Sequence, residues 1–111
     1  MYWADLRPRS GSEQRGRRPV IVVSHDSLNQ IPSWRSVVIV PLTTSTRQAE
    51  RGPSAIPIAA GEGGLEQLSV ALCHQVTTLD RRKFGECIGF LPDEIMRNLN
   101  RGLVAALDLL P

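Results

Sequence analysis

At 111 residues the chain is expected to form one domain, spanning 1–111, around one core. Its hydrophobic share of 41% and charged share of 22% are ordinary for a soluble globular protein, and no apolar run approaches the roughly 18 residues of a membrane span. The net charge is only +2, so the placement of charge matters more than its sum.

The chain opens on Met1-Tyr2-Trp3-Ala4-Asp5, which has no signal-peptide pattern and makes the cytoplasm the expected compartment. Residues 2–6 alternate large side chains and read as a short strand. Residues 7–18 read as a long loop with Gly11 and Gly16 inside it, and loops of this length in a compact domain are usually functional. Residues 1–18 hold Arg7, Arg9, Arg15, Arg17 and Arg18 against Asp5 and Glu13, five minus two, or +3 locally. Lys83 is the single lysine among thirteen basic residues. Arginine suits a site that grips phosphates, because its planar fork presents several N–H donors at once. A carboxylate, an amide and three guanidinium groups thus converge at 13–18, beside a rigid apolar run.

That run, 19–24, is continuously apolar and reads as a strand covered on both faces. Residues 25–35 form a connection broken by Pro32. Residues 36–44 are a second β-branched strand, 45–53 a polar excursion, and 55–59 a short strand whose Pro57 suggests an edge. After the turn at 61–64, residues 68–76 read as a third long strand, ended by Thr77-Thr78-Leu79-Asp80. On it Ala71, Cys73, Gln75 and Thr77 would share one face, and Val70, Leu72, His74 and Val76 the other. Arg81-Arg82-Lys83 is a basic corner, a solvated one or an outer phosphate contact. Residues 87–91 read as a last short strand. A helix then starts with Pro92 in its first turn, and Asp93 and Glu94 complement the positive end of its dipole. Ile95, Met96, Leu99, Leu103, Ala106, Leu107 and Leu110 recur at helical spacing as core or dimer contact. The expected fold is mainly β with a C-terminal helix (α+β), a small barrel more than a doubly wound sheet.

Cys73 and Cys87 sit far apart and near no histidine cluster, so zinc is not expected; a disulfide is open to them, but the compartment favours reduced thiols, expected to be buried and inert. No cofactor is implied.

Several separated segments resemble the MazF/PemK (Kid) mRNA interferases. They are Tyr2-Trp3-Ala4-Asp5-Leu6, Gly11-Ser12-Glu13-Gln14 and Gly16-Arg17-Arg18-Pro19-Val20-Ile21-Val22-Val23-Ser24. Val40-Pro41-Leu42-Thr43-Thr44, Leu72-Cys73-His74-Gln75-Val76 and Thr78-Leu79-Asp80 follow in the same order, and a closing amphipathic helix completes it. The resemblance covers essentially the whole chain. It implies an SH3-like β-barrel of the MazF/CcdB-like type, working as a homodimer. It further implies a toxin of a type II toxin–antitoxin module that cleaves single-stranded RNA at short motifs without a metal ion. The products would carry a 2′,3′-cyclic phosphate and a 5′-hydroxyl.

Carried over by position, Arg18 matches the family's catalytic arginine and Thr43 its catalytic threonine. Glu13 and Gln14 match the Glu-Gln of the loop that lies over the substrate, and Gln75 a glutamine near the RNA path. Ser12, Arg15, Arg17 and Thr44 flank these positions and are candidate RNA contacts. A cognate antitoxin with an acidic C-terminal segment would lie across the basic groove, and its complex with the toxin would bind operator DNA. Family members usually have a few residues before the Tyr-Trp pair, whereas Met1 abuts it here, so a short first strand is expected. An acidic residue often precedes the strand glutamine, and here it is His74, expected to be partly buried and hydrogen-bonded.

RNA can be cut by its own 2′-hydroxyl, so the enzyme need only orient the attack, move two protons and stabilise charge on phosphorus. Arg18 is a candidate for the charge, Thr43 for a phosphate hydrogen bond, and Glu13 for a general base or for holding an arginine. Trp3 reads as core, while Trp34, in the 25–35 connection, is a candidate for stacking on RNA or touching the antitoxin. Two rivals remain at this point. One is a non-catalytic nucleic-acid- or partner-binding protein of the same fold. The other is a CcdB-like gyrase poison, disfavoured because that group depends on a C-terminal Trp-Gly-Ile while this chain reads Leu109-Leu110-Pro111.

Overall fold

The computed structural model describes residues 1–7 and 16–109. Seven antiparallel strands form one curled sheet: β1 (Tyr2–Asp5), β2 (Arg17–Val22), β3 (Ser36–Thr43), β4 (Ala55–Ile58), β5 (Ser69–Leu72), β6 (Thr77–Asp80) and β7 (Phe84–Cys87). A short helix, α1 (Asp26–Asn29), interrupts the β2–β3 connection, and a long one, α2 (Asp93–Leu107), closes the described chain. The strand order is β4-β5-β3-β2-β1-β7, with β6 also on β3. The expected class, mainly β with a C-terminal helix in a small barrel-like sheet, is the observed one. Among the described residues no helix is long and apolar enough to cross a membrane.

The apolar runs make β2 and β3 two-sided. Along them, alternate residues point to opposite faces. Val20, Val37 and Ile39 join Ala4, Leu6 and Leu79 in the barrel interior, with Tyr2, Val22 and Phe84 beside them. Ile21, Val40 and Leu42 face the other way, into a cluster with Met1, Ile58, Leu65, Cys73 and Leu99 that α2 covers. Fully burying one such aliphatic side chain is worth about 1.5–3 kcal/mol, which is why these two strands anchor everything around them.

Three sequence expectations shift. The strand expected over 68–76 is two strands on one edge of β3. β5 pairs with Leu42 and Thr43, while β6 pairs with Ser36 through Ile39. Between them Cys73–Gln75 makes a 3-10 turn closed by the Val76 N–H on the Cys73 carbonyl at 3.2 Å. The two-face alternation expected through 70–77 stops there, and His74 is exposed rather than partly buried. The last strand is Phe84–Cys87, not 87–91, because pairing with β1 and a stacked Tyr2–Phe84 ring pair (5.5 Å) hold the earlier segment. Pro92 is the N-cap of α2, one residue ahead of the expected position, and Asp93 and Glu94 do fill the first turn.

On α2, Ile95, Met96, Leu99, Leu103 and Ala106 pack on the core, while Leu107 is exposed and Leu110 lies outside the described residues. Gly102 lies against Cys73 and Ile56, so that a Cβ there would sit 2.8 Å from the Cys73 sulfur. Met1 is buried, and its ammonium donates to the Gly89 carbonyl at 3.0 Å. β1 is short, as expected, but it is paired on both sides. A second close approach joins the 61–64 turn to the segment after β7. A Cβ on Gly64 would lie 2.6 Å from the Ile88 carbonyl oxygen, and one on Gly89 would overlap the Gly63 carbonyl. Two backbones meet there with no side chain between them.

Candidate active site

The β1–β2 hairpin presents the arginines. Asp5 stands opposite Arg17 and Ala4 opposite Arg18, and the Leu6 N–H donates to the Gly16 carbonyl at 2.9 Å to close the base of the connecting loop. Gly16 has φ +80°, a conformation that favours glycine at this exit. On the other side of β2, Val20 pairs with Pro41 and Ile21 with Val40. Continued two residues past Val20, that register sets Arg18 level with Thr43, and strand alternation puts both on the Val20 face. Arg18 is half-buried and Thr43 only 7% exposed. The Thr43 Oγ1 accepts the Ser45 N–H at 3.2 Å, which fixes the hydroxyl and leaves its own proton available for donation.

Arg17 and Thr44 belong to the reverse face. The Arg17 guanidinium lies over the Trp3 ring, 4.8 Å from its centroid. Such a contact is worth about 0.5–1 kcal/mol when exposed. Thr44 lines a hollow of about 130 Å³ with Trp3, Pro19, Leu65, Glu66, Gln67 and others. Pro19 stands opposite Trp3 in the β1–β2 register. One end of the β2–β3 ladder thus carries two arrangements, Arg18 with Thr43 on one face and a Trp3–Thr44 hollow on the other. Trp3, expected in the core, is a partly exposed wall.

The remaining site expectations divide. Ser12, Glu13, Gln14 and Arg15 lie outside the described residues. Gln75 is partly buried in the 3-10 turn after β5, on the edge of β3 away from β2. Thr77, two residues on, pairs with Ile39, which is four residues before Thr43 or roughly 13 Å along the strand. The 25–35 connection sits at the far end of β3 from Thr43, where Arg81 donates to the carbonyls of Asn29 and Trp34. Sequence reasoning missed Glu66 and Gln67. Their only signal was a polar pair one residue after a glycine turn.

Charge around the hairpin is tightly paired. The Arg7 guanidinium donates to both Asp5 oxygens at 3.0 Å, and its backbone N–H donates as well. These bonds hold the Asp5 carboxyl down at about 2. The Asp80 carboxyl is also lowered, first by the Arg82 backbone N–H, then by the Arg82 side chain. Both cysteines are free. Burial pushes the Cys73 thiol up to about 11, whereas Cys87, expected to be buried, is exposed on a strand with little above it.

The chain is 36% identical over 110 residues to Endoribonuclease EndoA of Bacillus subtilis, covering 99% of this chain and 92% of that protein. It is 33% identical over 109 residues to Endoribonuclease MazF of Staphylococcus saprophyticus, covering 98% and 88%. Its fold superposes on the Mycobacterium tuberculosis toxin MazF-mt6 with a TM-score of 0.79 at 25% identity, over 99% of this chain and 97% of that one. A sequence profile of the "PemK-like, MazF-like toxin of type II toxin-antitoxin system" matches residues 1–107. The strand register, the helix-backed curled sheet and that full-length match lead to one conclusion: this chain belongs to the PemK-like, MazF-like toxin family.

Proposed function

We propose that this protein is an endoribonuclease toxin that cuts single-stranded RNA and is neutralised by a cognate antitoxin. The observation that supports the reading is the β2–β3 register, which, continued two residues past Val20, brings the Arg18 backbone level with Thr43 in a chain whose relatives are named endoribonucleases. In this reaction the substrate's 2′-oxygen attacks the adjacent phosphorus and the bond to the 5′-oxygen breaks. The 2′-hydroxyl proton leaves to a base, and the departing 5′-oxygen takes up a proton. The products are a 2′,3′-cyclic phosphate and a 5′-hydroxyl.

Arg18 is assigned the non-bridging phosphate oxygens, where negative charge builds. A preorganised donor of that kind is worth roughly 3–4 kcal/mol of barrier. Thr43 donates a hydrogen bond to the same phosphate from a fixed strand end. Glu13 is assigned the proton of the 2′-hydroxyl, and Ser12, Gln14, Arg15, Arg17, Thr44 and Gln75 the flanking RNA. The proton for the departing 5′-oxygen comes from solvent water, and the proposed reaction uses no metal ion. The family's toxin–antitoxin description supports an antitoxin partner; to this we add that its acidic C-terminal segment competes for the same arginines, that the complex binds operator DNA and that the protein acts in the cytoplasm. Phe90, 83% exposed beside a hollow lined by Met1, Ile21 and Met96, supports a homodimer.

The test is sequencing of RNA fragments after incubation with pure protein in EDTA, with 5′-hydroxyl ends detected by kinase labelling without phosphatase. Cleavage at a short motif, lost about 10²–10³-fold in Arg18→Ala, is expected. A folded parent protein that cuts no RNA of any sequence refutes the reading, and cleavage abolished by EDTA refutes its metal independence.

A further inference from the structure

A chain of contacts leads away from the hairpin arginines across the barrel surface. Asp5, paired with Arg17 across the strands, holds Arg7 by a salt bridge at 3.0 Å. The Lys83 ammonium donates to the Arg7 carbonyl. Lys83 shares the 3-10 turn Arg81–Lys83 with Arg82 and Arg81. Arg81 donates to the carbonyls of Trp34 and Asn29, which fastens the 25–35 connection to this corner. Arg35 and Arg82 both lie on Asp80, at 3.8 and 3.3 Å. Trp34 is 48% exposed at the end of this line. Five cations thus stand against Asp5, Asp80 and Asp26, the last lining a hollow with Arg81, a local surplus of two, and Trp34, one of the two aromatics outside the sheet, lies among them.

Resting on the ribonuclease reading above, we propose that this line from Arg7 through Lys83 and Arg82 to Trp34 is an outer track for the single-stranded RNA beyond the cleaved bond. The side chains suit that occupant. Four of the five cations are guanidinium forks, which match phosphate oxygens in pairs. An indole among cations offers a stacking face that any base can use. The ion pairs that now occupy the arginines are solvent-exposed and worth little, so a phosphate displaces them at small cost. Arg81 is the positioning residue. Its bonds to backbone carbonyls set where Trp34 stands, and it is half-buried whereas Arg82 is exposed. Continuity with Arg17 and Arg18 favours RNA over an acidic peptide, because one strand could run from the hairpin onto the track without a gap in positive charge.

The experiment compares kcat/KM on two RNAs that share one mapped cut motif, one of about 6 nucleotides and one of about 20. Only the longer can leave the hairpin and reach the track. Trp34→Ala and Arg82→Ala are assayed singly, each shown folded by circular dichroism and an unchanged urea midpoint. The ratio of long to short kcat/KM is expected to fall about tenfold in Trp34→Ala. In Arg82→Ala, the salt dependence on the long RNA should flatten by about 0.7 in log–log slope, one phosphate contact. An unchanged ratio in both variants overturns the track and leaves the ribonuclease reading standing. Variants that weaken the antitoxin complex while the ratio holds assign this surface to the acidic peptide and overturn it equally. A parent protein that cuts neither RNA overturns both readings.

Discussion

Replacing Gly102 by alanine sets two effects of known sign against each other. Gly102 lies inside α2, and Gly→Ala in a helix interior stabilises by about 1 kcal/mol. Here the added Cβ would stand 2.8 Å from the Cys73 sulfur, 2.8 Å from Ile56 Cγ1 and 3.0 Å from Ile56 Cδ1. Ordinary contacts between such atoms lie at about 3.5–4.0 Å, so three overlaps approach 1 Å each. Neither neighbour can retreat freely, because Cys73 is fully buried and Ile56 packs in the same cluster. Overpacking of this kind costs about 1–3 kcal/mol. The net expectation is a loss on the order of 1 kcal/mol, or a fall in Tm of roughly 4 °C. Urea unfolding followed by circular dichroism, at fixed protein concentration so that any association is held constant, reads the change as a lower midpoint at unchanged slope. A double-mutant cycle with Cys73→Ala isolates the sulfur, and the double variant should be about 1 kcal/mol more stable than the sum of the singles. Strictly additive losses, or a Gly102→Ala protein more stable than the parent, would refute the argument that the sulfur sets how closely α2 approaches the sheet.

Other outcomes test the site and its surroundings. Thr43→Val should cut RNA cleavage by about 10–10²-fold while costing about 1 kcal/mol of stability through the Ser45 N–H it leaves unpaired, and Thr43→Ser should restore most activity. With a thiol reagent at neutral pH, one equivalent should react quickly, at Cys87, and the second only on unfolding, since Cys73 is buried with its thiol pushed up to about 11. Labelling of both thiols in the folded protein would contradict the packing. Asp5 should titrate near 2 by carbon-detected NMR, and Arg7→Ala should return it toward the ordinary value of 3.8. Because the folded value is depressed, the stabilisation from this pair is present above about pH 4 and is lost as pH falls toward 2. Asp5→Asn should therefore flatten the acid limb of a stability–pH curve.

Much of the fold was legible because burial writes itself into β-branched runs. The segments 19–24, read as a strand covered on both faces, and 36–44, read as a β-branched strand, are the strands that separate the barrel interior from the α2 layer. The helix stripe was equally plain. The split between β5 and β6 was not, since Cys73-His74-Gln75 contains no glycine or proline and continues an apolar run. What bends it is tertiary, the turn seated against Gly102 and Ile56. β7 was misplaced because Phe84-Gly85-Glu86-Cys87 has little β character of its own and is held by β1. Within the site, Arg18 and Thr43 were named through family resemblance, and only the strand register brings them level. Glu66 and Gln67 escaped notice because their place in a hollow depends on how the glycine turn folds back.

That turn has a consequence for how the hollow can vary. Where Gly63 and Gly64 meet Ile88 and Gly89, main chain touches main chain, and almost any side chain introduced there collides with a carbonyl. The backbone that Gly64 contributes to the wall is therefore inherited as geometry, since a side chain there would meet the Ile88 carbonyl. Divergence among descendants of this sequence has most room at the polar and aromatic lining, at Trp3, Thr44, Glu66, Gln67 and Ser69. A lineage that changed what this cavity accepts should carry its substitutions at those five positions and keep the glycines.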